Sequence, residues 1–397
     1  MIARTPSLAL TALLVLVSTG SAQDWDSDRH GPPPTWHVNL AIHNTGLSIG
    51  NSTTFTGLRL NWRDFRLDRI RGINVTLWKP GDHVGGEITG LSTGLFGPGA
   101  GRLQGIAVGP LAVIAEDGLT GLGMSGLAVV TGGRSRGIAL AGLATVAGGS
   151  TTGISVGGLA LVAGGDTRGL NVGGLAVVGG GHVTGLNVGG LAIVAGGRLH
   201  GINLGGLAAV SGQGMHGLSV GGLATVSGQE LVGINVSGLA AVSGQDMRGV
   251  NLSGLATVSG QDMRGINLAG LALVSGQDLR WLNIGGLAVV GGGRIDGASL
   301  SVGDVESGSV RGLAVGGYRV KAREAEGFMA SALYTRTRYL TGVAVAPYNR
   351  VRTLQVGLAI GVVNDATELH GVQVGIVNIA RNNRGWKRVL PVLNLHL

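Results

Sequence analysis

The sequence predicts an all-β fold: a Gly-rich β-solenoid of twelve 16-residue repeats with atypical capping repeats at both ends. Three observations carry this. Residues 105–296 repeat every sixteen residues with no insertion or deletion. The columns of that repeat are nearly invariant. Consecutive repeats also carry the same turn, as in Ser243-Gly244-Gln245-Asp246-Met247-Arg248, the identical Ser259-Gly260-Gln261-Asp262-Met263-Arg264, and Ser275-Gly276-Gln277-Asp278-Leu279-Arg280. A fixed short period marks a stack in which each unit buries its apolar side only against its neighbours.

The columns assign each part of the unit. Counting from Gly169, column 7 is Leu and column 8 Ala in all twelve copies, from Leu111-Ala112 to Leu287-Ala288. Column 10 is Val in all but Ile114, and columns 1, 6 and 12 are Gly except at Trp281, Pro110 and Glu116. Columns 2 and 4 are always Leu, Ile, Val or Met, column 3 is mostly Asn or Ser, and nearly all charge falls in columns 13 to 16. Each unit therefore reads as extended segments with alternating apolar side chains, a Gly-Gly kink and a polar turn. About four aliphatic side chains per unit are expected inside. Twelve coils at one strand spacing make a rod of about 58 Å that offers a flat, small-residue face.

The alternative is an antiparallel outer-membrane β-barrel. Uncharged runs such as residues 185–197 are long enough for a transmembrane strand. A barrel, however, places alternate turns on opposite sides of the membrane, which predicts a thirty-two-residue alternation that the turns lack. It also carries aromatic girdles, and no aromatic residue occurs from Gly97 through Arg280.

In chain order, residues 1–22 have a positive start at Arg4, an apolar run from Leu8 to Val17 and the small-residue end Gly20-Ser21-Ala22, the pattern of a secretory signal peptide. Residues 23–35 are polar and end in Pro32-Pro33-Pro34, an extended linker. Residues 36–104 hold the repeat in degraded form and predict an N-terminal cap. Arg63, Arg66, Arg69 and Arg71 there are expected to guard an exposed β edge rather than bind a ligand. His30, His37, His43 and His83 are too scattered for a metal site. The twelve repeats follow over 105–296. Residues 297–397 loosen into a second cap, with a charged interruption from Lys321 to Glu326 and a fourteen-residue echo beginning at Gly357 and Gly371. There is no cysteine, hence no disulfide framework.

Two C-terminal stretches, Gly371-Val372-Gln373-Val374-Gly375-Ile376-Val377-Asn378 and the ending Leu390-Pro391-Val392-Leu393-Asn394-Leu395-His396-Leu397, carry a resemblance. With the central units, they resemble an uncharacterised family of exported surface-repeat proteins of Gram-negative bacteria, built on Gly-Val-Gln-Ile-Gly-Leu-x-Asn repeats. The resemblance covers roughly residues 66–397. It implies a periplasmic, outer-membrane or cell-surface location and no activity.

Catalytic and cofactor motifs reduce to the repeat. Gly153-Ile154-Ser155-Val156-Gly157 and Gly217-Leu218-Ser219-Val220-Gly221 match a nucleophile elbow, yet each is the repeat with Ser in the Asn column and leads into no helix. Gly121-Leu122-Gly123-Met124-Ser125-Gly126 matches a dinucleotide fingerprint by chance in a chain with 78 Gly. If coils stack, Asp246, Asp262 and Asp278 form one row and Arg248, Arg264 and Arg280 another. The two rows balance each other as solvated ladders rather than forming a calcium or anion strip.

The net charge of +8 and pI near 10.7 suit anionic lipid headgroups or lipopolysaccharide. Export removes the chain from nucleic acid. The expectation is a non-enzymatic exported cell-envelope repeat protein with a structural or surface-interaction role, needing no cofactor or metal and meeting envelope lipid, lipopolysaccharide or another surface protein. A barrel acting as a pore or transporter is the alternative. An enzyme with a site near Tyr334, Tyr339 and His370 is a third reading.

Overall fold

A computed structural model describes residues 37–81 and 84–396. The signal peptide and linker expected over 1–22 and 23–35 lie outside the described residues. The described chain winds into a β-solenoid of about twenty turns, all within one continuous hydrogen-bonded assembly.

Each sixteen-residue unit supplies two strands. Thr167–Gly173 is a long strand, Gly174 and Leu175 turn the corner, Ala176–Gly179 is a short strand, and Gly180 to His182 turn back into the next long strand, Val183–Gly189. Neighbouring coils pair parallel and in register, with an offset of one repeat: Asn171 faces Asn187, Asn187 faces Asn203, and Ala176 faces Ala192. Parallel pairing of successive coils excludes the antiparallel barrel. Both ends of the stack are closed by an antiparallel strand, His37–Ile42 on Thr45–Gly50 and Val389–His396 on Val363–Ala380. These strands cover the end coils, as a capped stack requires.

The Gly in column 1 sits mid-strand with a left-handed backbone. Gly185 has φ 117°, and a Cβ there would collide with the carbonyl oxygen of Gly169 one coil below. Trp281 is the one exception in the twelve copies. Its φ drops to 81° and its ring points outward, 73% exposed.

The interior differs from the expected one. Column 3 points inward, so Asn171, Asn187 and Asn203 are fully buried, while the aliphatic columns 2, 4, 7 and 10 point outward or rim the surface. The small residues of columns 5 and 11 also line the interior, so the expected flat, small-residue outer face is absent. Large inward side chains come only from column 15 (Val183, Leu199, Met215, Leu231) and column 9 (Val177, Ile193, Leu273).

Burying Asn is tolerable because the stack supplies its partners. Asn171 Nδ2 donates to Asn187 Oδ1 at 2.8 Å and Asn187 Nδ2 to Asn203 Oδ1 at 2.8 Å. Asn203 then donates to Ser219 Oγ at 3.4 Å. A second ladder runs through Asn235, Asn251, Asn267 and Asn283. The atoms left without partners are the ladder ends: Asn171 Oδ1, Asn235 Oδ1 and Asn283 Nδ2.

Past the twelve repeats the coil shortens rather than loosening. Gly297, Gly312, Gly327, Gly342 and Gly357 hold the column 1 conformation at fifteen-residue spacing, before the fourteen-residue step to Gly371. The expected charged interruption is regular structure, since Lys321 ends the strand Arg319–Lys321 and Glu324 opens Glu324–Ser331.

Candidate functional site

The alternation of a strand gives every inward Asn two outward aliphatic neighbours. Stacking turns these into rows. Leu111, Leu127, Leu143, Leu159, Leu175 and Leu191 begin a row of corner leucines that reaches Leu287, each two-fifths or more exposed. On one flank lie Ile154, Leu186, Ile202, Ile234 and Ile266 of column 2, and on the other the half-buried Ala and Val of columns 8 and 10. No Asp, Glu, Lys, Arg or His occupies columns 1 to 11 in any of the twelve repeats. The result is a convex, uncharged aliphatic edge about 53 Å long from Leu111 to Leu287, at eleven strand spacings. Folded monomers rarely expose a contiguous apolar patch beyond a few hundred Å². Aromatic rings extend the edge at its N-terminal end, where Trp62 stacks on Trp78 at 5.7 Å and Trp78 meets Phe96 at 4.8 Å.

The opposite edge is polar, and its Asp and Arg rows pair with each other. Arg168, Arg248, Arg264 and Arg280 each bridge the Asp two residues earlier, at 2.7, 2.6, 2.8 and 3.0 Å. The second oxygen of each Asp reaches the next coil: Asp246 Oδ1 accepts from Asp262 N at 3.3 Å, Asp262 Oδ1 from Asp278 N at 3.1 Å, and Asp278 Oδ1 from Arg294 N at 2.9 Å. Burial pushes the Asp278 carboxyl up, but the Arg294 N–H and the Arg280 guanidinium outweigh it and hold it below the usual carboxylate range. The hydrogen bond to Asp278 in turn raises Arg280. The expected Asp and Arg rows are therefore present, and the Asp row also ties successive turns together. Among the described residues, no group of three or more His, Cys, Asp or Glu side chains is placed to hold a metal ion.

No family model, curated protein or solved structure matches this chain.

The remaining sequence candidates do not form one site. Ser155 and Ser219 face the sealed interior, 2% and 0% exposed, which bars nucleophilic attack on an external substrate. Gly121 to Gly126 belongs to the strand Ala112–Ser125 and the corner after it, with no helix following. Tyr334 opens the strand Tyr334–Val345 and stacks edge-on with Tyr318, whereas His370 contacts Glu368 and His396 on the long-strand face. Arg69 and Arg71 are exposed on the strand Arg69–Thr76, and Arg66 lies over the Phe65 ring at 5.2 Å. The end of the stack is covered by the strand His37–Ile42 instead.

One buried feature escaped the sequence reading. Arg59 occupies the inward column that elsewhere holds an uncharged residue, most often Asn or Ser, and its guanidinium reaches Asp64 at 2.7 Å, Asn74 at 2.6 Å and Asn51 at 2.6 Å. Thr76 completes the shell on Asp64 at 2.6 Å. Arg59 and Asp64 are both fully buried. Removing either would leave a buried unpaired charge. A charged residue in an uncharged column was the available signal.

Proposed function

We propose that the chain is a non-enzymatic, exported cell-envelope repeat protein, a rod that lies on a lipid surface through its aliphatic edge. The observation that carries this is the uncharged edge of rows from columns 2, 4, 7, 8 and 10. It wraps a convex corner and part of both sheet faces. A rigid protein partner would cover one face and leave the others wet, whereas acyl chains flow around a convex edge. The polar edge, bearing every Asp–Arg pair of the central repeats, then stays in water, and the geometry is that of an element lying in the interface plane. The likeness to exported surface-repeat proteins supports the envelope location.

Flotation of the purified protein with phosphatidylcholine and phosphatidylglycerol vesicles tests this. The expected result is co-flotation that persists in high salt and is lost when Leu175, Leu191, Leu207 and Leu223 are replaced by Ser. Free protein that stays at the bottom of the gradient with both vesicle types would refute the reading.

A further inference from the structure

The short-strand side of the C-terminal coils departs from the central pattern. Column 10, Val through the repeats, becomes Glu306, Lys321, Arg336 and Arg350 in successive coils, joined by Arg323, Arg338 and Arg352 from the shortened turns. A groove of about 540 Å³ opens here, lined by Lys321, Arg323, Arg336, Arg338 and Arg352 with a single carboxylate, Glu306. Lys321 takes that carboxylate, with Arg319 3.9 Å away on its other oxygen. Among the described residues, Arg323, Arg336, Arg338 and Arg352 have no carboxylate partner.

The contrast with the central repeats is informative. There, each turn Arg in the Asp–Arg rows is neutralised by the Asp two residues before it. Here Arg338 N–H bonds the Arg323 carbonyl at 2.9 Å, so the two side chains leave equivalent turn positions in adjacent coils, and neither is paired with a carboxylate among the described residues. Like charges about one strand spacing apart lie well inside a Debye length, so salt does not relieve their repulsion. An external anion would. Planar guanidinium forks bind phosphate oxygens in bidentate fashion, and the groove has the volume of a small-ligand site.

We infer that this groove binds a ligand carrying two or more phosphate groups, such as a diphosphate or a phosphorylated glycan or lipid headgroup. The inference is independent of lipid contact at the aliphatic edge of the twelve repeats, because the groove lies past them, where the short strands and turns of the C-terminal coils have become charged.

The test is calorimetric titration of the purified chain with inorganic pyrophosphate. Saturable binding is expected, weakened at least about tenfold when Arg323, Arg338 and Arg352 are all changed to Gln, since each charge-assisted bond is worth about a factor of ten or more. The comparator changes Arg248, Arg264 and Arg280 to Gln, removing the same charge from the Asp-balanced row, and should bind within about twofold of the parent. Far-UV circular dichroism checks that both variants keep their strands. Co-sedimentation with phosphatidic acid vesicles, with and without excess pyrophosphate, separates a lipid-borne phosphate from a free one. Absence of saturable binding, or equal loss in the comparator, would overturn the inference.

Discussion

Asn187→Ala and Leu191→Ala form a pair that tests the inside-out arrangement directly. Asn187 accepts from Asn171 and donates to Asn203, both at 2.8 Å, in a fully buried position. Truncating it strands one donor and one acceptor in the interior, at about 1–3 kcal/mol each, or about 2–6 kcal/mol in all. Leu191 is 46% exposed, so truncating it forfeits only part of the 1.5–3 kcal/mol of a fully buried Leu, about 1 kcal/mol. The polar residue should thus be worth more to stability than the invariant aliphatic one. Urea unfolding ranks the two variants. Hydrogen exchange shows whether Asn187→Ala loosens the coils next to it first, as a stack with nearest-neighbour coupling requires. A Leu191→Ala variant as damaged as Asn187→Ala, or more so, would refute the assignment of faces.

Three further outcomes follow from the same geometry. Gly185→Ala should destabilise the stack by more than 1–2 kcal/mol, because the left-handed backbone and the Gly169 carbonyl both oppose a Cβ, whereas Trp281→Gly should raise the melting temperature by relieving the same strain. The depressed Asp278 carboxyl contributes stability that is present above its unfolded pKa and is lost as pH falls through the lower folded value. Asp278→Asn should therefore narrow the stability difference between pH 6 and pH 3, read from urea midpoints, with little change from pH 6 to pH 8. Deleting the C-terminal capping strand bares the edge of Val363–Ala380, and light scattering should then report end-to-end association.

The period, the absence of any two-repeat alternation and the polar turns pointed to an all-β stack of equivalent coils over the antiparallel barrel, and the parallel, in-register pairing of successive coils decided between them. Identical turns are what identical surroundings produce, and a parallel coil provides such surroundings. The same columns located the Asp and Arg rows, because their spacing equals that of the coils. Which side of each strand faces inward was decided only by the tertiary structure. A two-residue alternation has two solutions, and hydrophobicity read along one chain favours burying Leu, Ile and Val. Columns 2 to 5 of the long strand take the other, since Asn in column 3 finds its hydrogen-bond partner only in the next coil, and the small residues of columns 5 and 11 bring the two sheets together, leaving columns 9 and 15 to supply the buried aliphatic side chains. For the same reason the partners of Arg59, which its place in an uncharged column could not name, emerged only once the fold brought Asp64, Asn51 and Asn74 around it, and the C-terminal arginines once the shortened coils aligned them.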